Sequence, residues 1–276
     1  MRTHLKDKQR IIIKIGSSSL THEASGHINF QKIEQLVRTL CDLKNQGKDV
    51  ILVSSGAIAA GRKQVGFVEK PKTLPEKQAL AAIGQAKLMM IYERIFSEYS
   101  QTCAQVLITK DTVLNELYRE NTKNTFEQLL SMGVIPIVNE NDTVSTDEIE
   151  FGDNDHLSAV VTALVEGDLL LLLSDIDGMY TDDPNRNPNA TRISVIEQID
   201  ESYIQMAKDT SKSNLGTGGM AAKIDSAKIA VESGADMIIA SGNEVETISR
   251  ILNGEEIGTL FLSAKNEAFD WVDYIS

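Results

Sequence analysis

Short apolar runs and longer amphipathic stretches alternate along the chain. Ile11-Ile12-Ile13 with Ile15, Val50 to Val53, Ala104 to Ile108, Val134 to Val138, Leu169 to Leu173, Met237 to Ala240 and Gly258 to Leu262 read as strands. The unbroken runs predict strands buried on both faces. Helical periods lie between them. In Phe30 to Gln46, the residues Ile33, Leu36, Val37, Leu40 and Leu43 share one face, and Gly47 supplies a stop. Glu76 to Tyr99, Arg119 to Met132, His156 to Val165, Met220 to Glu232 and Val245 to Leu252 read as further helices. Pro136, inside the fourth apolar run, predicts an irregular or edge strand. Thr143 to Phe151 alternates weakly and suggests a short hairpin, while Asp182 to Ala190 and Thr210 to Gly219 read as loops.

Strands alternating with helices predict an α/β fold, with a mostly parallel sheet and helices on both faces. No repeat, low-complexity tract or linker divides the chain, so one domain over 1–276 is expected, with a polar segment 1–10 and a tail 264–276. In such sheets ligands bind at the carboxyl ends of the strands. The polar clusters of this chain fall there or open helices. Lys14 sits within the first apolar run, ahead of Gly16-Ser17-Ser18-Ser19. Glycine lets backbone N–H groups approach an anion, and the hydroxyls add donors; the same lysine can equally snorkel to water. Ser54-Ser55-Gly56-Ala57 follows the second run, where small residues leave room for a ligand or for tight helix-on-sheet packing. Asn139-Glu140-Asn141-Asp142 ends the fourth run, and Gly152-Asp153-Asn154-Asp155 precedes a helix. Ser174-Asp175-Ile176-Asp177 closes the fifth; its aspartates suit a turn and a nucleotide site alike. Gly218-Gly219 opens the helix that carries Lys223 in its first turn, where a cation disfavours the helix by ~0.3–1 kcal/mol. An anion seated there would offset that cost.

Composition narrows the classes. The net charge of -13 over 276 residues argues against a general nucleic-acid or membrane-surface role, since both need a basic footprint. Cys41 and Cys103 lie far apart in apolar patterns and read as buried free thiols. The polar N-terminus lacks the apolar core of a signal peptide, and no run spans a bilayer, so a cytoplasmic location is expected. His4, His22, His27 and His156 lack metal-ligand spacing and read as ordinary surface or loop histidines; no metal site is expected. GxxxxGK[ST] is absent, as are GxGxxG after the first strand and the protein-kinase motifs. What remains is two lysines for an anion, and carboxylates and amides for an ammonium group. That combination suits phosphoryl transfer, which needs positioning and neutralisation more than covalent help.

Ile13-Lys14-Ile15-Gly16-Ser17, Ser54 to Ile58, Asn139 to Asp142, Gly152 to Asp155 and Gly216 to Lys223 resemble, in order, the signature blocks of the amino acid kinase family. Together the Asn-Glu-Asn-Asp and Gly-Asp-Asn-Asp blocks resemble its glutamate-phosphorylating branch rather than the acetylglutamate, aspartate, carbamate or uridylate kinases. The resemblance implies a three-layer α/β/α sandwich and ATP-dependent phosphorylation of the γ-carboxylate of L-glutamate, the first step of proline synthesis. By matching position Lys14, Lys223 and Asp155 would be catalytic, with Asp155 holding the lysines. Ser55, Asp142 and Asn154 would bind glutamate, with Asn139 and Asp153 close by. Ser174, Asp175, Thr217, Gly218, Gly219, Met220, Ala221 and Ala222 would line the ATP site with both lysines. Mg²⁺ would arrive with ATP. Many members of the family are dimers or tetramers inhibited by proline, and a product that cyclises readily by its own chemistry makes hand-over to the next enzyme an expectation. Many members carry a C-terminal RNA-binding-type domain, which is not expected here. The tail after Ser263 matches no block. The rival readings are a sister kinase with another acceptor and a non-catalytic amino-acid or nucleotide sensor; retention of both lysines with Asp155 favours an enzyme.

Overall fold

The computed structural model of the chain describes residues 2–22, 26–67, 69, 71–145, 151, 154–182, 184, 187–211 and 219–276. After a 3-10 turn at Thr3–Asp7 come β1 (Arg10–Ile15), α1 (Ser17–Leu20), α2 (Phe30–Asn45), β2 (Asp49–Ser54) and α3 (Ala57–Gln64). The long α4 (Leu74–Glu98) leads to β3 (Cys103–Ile108), α5 (Lys110–Leu114), α6 (Glu116–Ser131) and β4 (Ile135–Glu140). Then follow α7 (Asn154–Leu164), β5 (Leu169–Ser174), β6 (Val195–Ile196), α8 (Glu201–Ser211), α9 (Met220–Glu232), β7 (Asp236–Ser241), α10 (Thr247–Leu252), β8 (Thr259–Phe261) and α11 (Trp271–Ile275). The fold is the expected α/β class, a mostly parallel sheet with helices on both sides. The chain divides into two compact units, residues 1–14 with 152–276, and residues 15–151.

In the first unit the strands run in the order β1, β5, β7, β8, β6. β5 pairs with β7 in parallel register from Leu169 opposite Asp236 to Ser174 opposite Ser241. β8 turns antiparallel to β7 and pairs in parallel with β6. The isoleucines of β1 and the five leucines of β5 are wholly buried. Each such side chain contributes roughly 1.5–3 kcal/mol by leaving water, which explains why these runs read so clearly as strands. Asp168 fixes the start of β1: its Oδ2 accepts from the backbone N–H groups of Gln9 and Arg10 at 2.9 and 2.8 Å.

In the second unit β4 lies between β3 and β2, parallel to both. Pro136 therefore stands in an interior strand, not in the edge position its chemistry suggests. Pairing with β2 is registered from Ile137, opposite Leu52. Because Ile135 donates its N–H to Thr102 at 3.0 Å, the nitrogen of Pro136 faces the other way, ahead of that pairing. The missing donor thus interrupts no ladder there.

Small residues do different work in α3 than the sequence suggests. A methyl on Gly61 would lie 1.9 Å from the carbonyl oxygen of Leu80, and one on Gly84 only 1.7 Å from that of Ala57. The glycines let α3 and α4 cross backbone to backbone, so the tight packing is helix on helix rather than helix on sheet. Several short elements carry too little periodicity to be read from sequence: α1, α5, β6 and α11, and also α8. The suggested hairpin at 143–151 and the loop at 210–219 lie largely outside the described residues.

Candidate active site

Three buried charges meet in the first unit. Lys14 is the penultimate residue of β1, Asp155 lies in the first turn of α7 and Lys223 in the first turn of α9. They are 8, 1 and 4 % exposed. Lys223 Nζ donates to Asp155 Oδ2 at 2.8 Å, and Lys14 Nζ forms an ion pair with Oδ1. Burial alone pushes the Asp155 carboxyl up; the adjacent ammonium groups of Lys14 and Lys223 overcome that and hold it below its ordinary value. Asp155 also sits favourably at a helix N-terminus, whereas Lys223 does not. The carboxylate therefore supplies the anion that the Lys223 position needs within the protein itself. Among the described residues the cluster holds two ammonium groups on one carboxylate. Taking ions out of water costs several kcal/mol each, which the mutual attraction of the three groups offsets.

The flanking predicted residues are distributed as follows. Gly219 caps α9 with an extended backbone, and Met220, Ala221 and Ala222 form its partly buried first turn. Asn154 opens α7. Ser174, buried at the end of β5, donates its hydroxyl to Asp175 at 2.8 Å. Asp177 is a turn residue: it accepts from the Tyr180 hydroxyl at 3.0 Å and pairs with Arg192 at 3.5 Å. Asp153, Thr217 and Gly218 lie outside the described residues.

The second unit holds Ser55, Asn139 and Asp142. Ser55 follows β2 and donates its N–H to Ile15 at 3.3 Å. Gly56 caps α3 at a φ of +107°, a left-handed conformation that disfavours any side chain. A cleft of about 200 Å³ opens over Ser17, Ser55 and Gly56, with Lys63 and Lys87 on its walls. Asn139 is buried at the end of β4 and donates through Nδ2 to Gln85 at 3.0 Å. Its neighbour Glu140, also buried, accepts from the Ser145 hydroxyl at 2.9 Å and the Phe151 N–H at 3.2 Å. That pair of bonds closes the turn containing Asp142, which is half-buried. The Gly16 segment is no open turn: Gly16 caps the short α1, and Ser19 points inward, 3 % exposed.

Sequence reasoning passed over several polar residues that the structure pairs. His156 is no idle loop histidine; its Nδ1 lies 3.3 Å from Asp225 Oδ2. His4 likewise pairs with Asp236 at 3.0 Å. Lys63 and Lys87 have a signal only once helices are drawn, since each belongs to a helix bordering the Ser55 turn. Both cysteines are free, but only Cys41 is buried as expected while Cys103 is half-buried; desolvation pushes both thiols up to about 11. Among the described residues no three His, Cys, Asp or Glu side chains gather as metal ligands. No described helix is long and apolar enough to cross a membrane.

A mostly parallel α/β sheet with a buried Lys-Asp-Lys cluster at strand and helix ends defines the class: the pattern of the amino acid kinase family matches residues 9–241. Solved structures show the same fold, among them a UMP kinase from Ureaplasma parvum (TM-score 0.62, 18% identity, 92% of this chain and 99% of that one) and a T. acidophilum isopentenyl phosphate kinase (0.60, 20%, 92% and 100%). Among curated relatives, the glutamate 5-kinase of Carboxydothermus hydrogenoformans is 52% identical over 97% of this chain and 71% of its own length. That of Clostridium perfringens is 49% identical over 97% of this chain and 100% of its own. The chain belongs to the amino acid kinase family, in its glutamate 5-kinase branch.

Proposed function

We propose that this chain transfers the γ-phosphoryl group of ATP to the γ-carboxylate of L-glutamate, giving L-glutamyl 5-phosphate for proline biosynthesis. A carboxylate oxygen of glutamate attacks the γ-phosphorus, the bond to the β,γ-bridging oxygen breaks, and ADP leaves. The observation that carries the reading is the buried cluster of two lysines on one aspartate. Its two ammonium groups suit a group that gains negative charge at its leaving oxygen as it transfers. In this reading Lys14 contacts the migrating phosphoryl group. Lys223 contacts the nucleotide phosphates and steadies the leaving oxygen. Asp155 touches neither; it holds both ammonium groups in place.

By their match to the family's blocks, Ser55, Asp142 and Asn154 are the residues assigned to glutamate, with Asn139 and Asp153 as further candidates. Lys63 and Lys87, on the cleft over Ser55, suit an acceptor that carries two carboxylates. Ser174, Asp175, Thr217, Gly218, Gly219, Met220, Ala221 and Ala222 line the nucleotide site. Mg²⁺ would arrive with ATP and would neutralise phosphate charge, while Asp155 is engaged by the two ammonium groups. A cytoplasmic location, assembly as a dimer or tetramer, feedback by proline and hand-over to the next enzyme complete the proposal.

The test is ATP- and glutamate-dependent turnover trapped by hydroxylamine as the hydroxamate, run beside N-acetylglutamate, aspartate, carbamate and UMP. Glutamate is expected to be the preferred acceptor. Preference for another member of the panel, or none, would overturn the assignment.

A further inference from the structure

Given the phosphoryl-transfer role proposed for Lys223, we infer that the C-terminal tail is a strap that keeps this lysine aimed, and that Tyr274 is its positioning residue. After β8 the chain turns back along α9. Ala264 donates its N–H to Val231 at 2.9 Å, and Asn266 its N–H to Glu232 at 3.0 Å, both at the far end of that helix. The Asn266 side chain adds a bond to Glu232 Oε2 at 3.0 Å. Asp270 then caps α11, accepting from Val272 and Asp273 at 2.8 and 3.3 Å. Ile275 is buried, which anchors the short helix.

α11 brings Tyr274 to the opposite half of α9. Its hydroxyl donates to Asp225 Oδ1. Its ring packs against Phe269, centroids 5.4 Å apart, and under Lys228 Nζ at 4.8 Å. The other oxygen of Asp225 faces His156 Nδ1 at 3.3 Å. Burial pushes the Asp225 carboxyl up, but the bonds from His156 and Tyr274 outweigh it and hold the group below its ordinary value. Two rungs therefore join α7 to α9. One is Asp155 with Lys223, deep in the unit; the other is His156 with Asp225, nearer its surface. The residues are neighbours on α7 and two apart on α9. Tyr274 fastens the outer rung to the tail, so the start of α9 is held from two sides. α9 has thirteen residues, a length of about 20 Å; the tail thus spans most of the helix that carries the proposed catalytic lysine. Reactive groups misplaced by an ångström can lose about 10²-fold in rate. A tether on this turn is a direct way to avoid that.

The experiment is Tyr274→Phe, which removes the hydroxyl and keeps the ring. It is read by hydroxamate kinetics and by hydrogen exchange of the amides of residues 220–228. The expected result is a fall in kcat of about tenfold, the scale of one hydrogen bond to a charged group, with KM for glutamate unchanged. Exchange in the first two turns of α9 should quicken by a similar factor. Asp225→Asn should do the same, and Tyr274→Phe with Asp225→Asn should be no worse than either alone. In a Lys223→Ala background, Tyr274→Phe should remove nothing further. Unchanged exchange, unchanged kcat, or an equal loss in the Lys223→Ala background would each overturn the positioning role. If the unmodified enzyme makes no hydroxamate from glutamate, the substrate assignment fails by itself. The exchange result then still decides the strap: quickening supports it and no change overturns it.

Discussion

The two units bury polar groups in contrasting ways. In residues 15–151 the buried side chains meet as neutral pairs or around one carboxylate: Ser54 with Tyr92 at 2.8 Å, Asn139 with Gln85 at 3.0 Å, and Glu140 with a hydroxyl and a backbone N–H. Each such bond returns about 0.5–1.5 kcal/mol and fixes a rotamer. In residues 1–14 with 152–276, the buried polar centre among the described residues is ionic, two ammonium groups on one carboxylate. Folding gains little from such a triad, because apolar replacements are often as stable or more so. The neutral pairs fix rotamers, that of the proposed glutamate-site residue Asn139 among them. The ionic cluster is the one for which we propose the phosphoryl-transfer role.

Substitutions can break that contrast. The largest effect on turnover is expected from Lys223→Ala: a loss of ~10²–10³ in kcat, the scale of one removed charge-stabilising donor. Thermal unfolding should show the variant folded; wild-type turnover would remove Lys223 from the mechanism. Asp155→Asn removes the charge that both buried lysines engage and should cost about 3–5 kcal/mol of stability, measured by urea unfolding, as well as most of the activity. In the other unit Gln85→Ala removes the bond from the Asn139 amide and should cost about 0.5–1.5 kcal/mol, with kcat reduced far less than by Lys223→Ala. A large kcat loss at Gln85 with full stability would erase the distinction between the units.

The smallest predicted effect is on pH. The Asp155 carboxyl titrates below its ordinary value in the folded state. Its contribution to stability is thus present above the unfolded carboxylate value, roughly 3.9. It is lost as pH falls through the lower folded value. Urea midpoints measured from pH 6 downwards should fall more steeply for the wild type than for Asp155→Asn. Parallel slopes would contradict the ionic account.

The contrast also bears on what was legible beforehand. β1, β2 and β5 were plain because unbroken isoleucine, valine and leucine runs have few other fates. Lys14, Asp155 and Lys223 were picked out by their places at strand and helix ends, and they do meet. Spacing could not supply the crossing of α3 over α4, because Gly61 and Gly84 look like generic small residues until their backbones touch. Nor could it place Pro136 in an interior strand, which depends on which way one nitrogen faces. The bond from Tyr274 to Asp225 joins residues 49 apart through a five-residue helix too short to show a period.

The central claim, that Lys14 and Lys223 serve one migrating phosphoryl group, is tested most directly by the cycle of Lys14→Ala, Lys223→Ala and the double variant in the hydroxamate assay. Residues acting as a unit are strongly non-additive. The double variant should therefore retain nearly the turnover of the weaker single. Losses that multiply, as for two independent sites, would contradict the account.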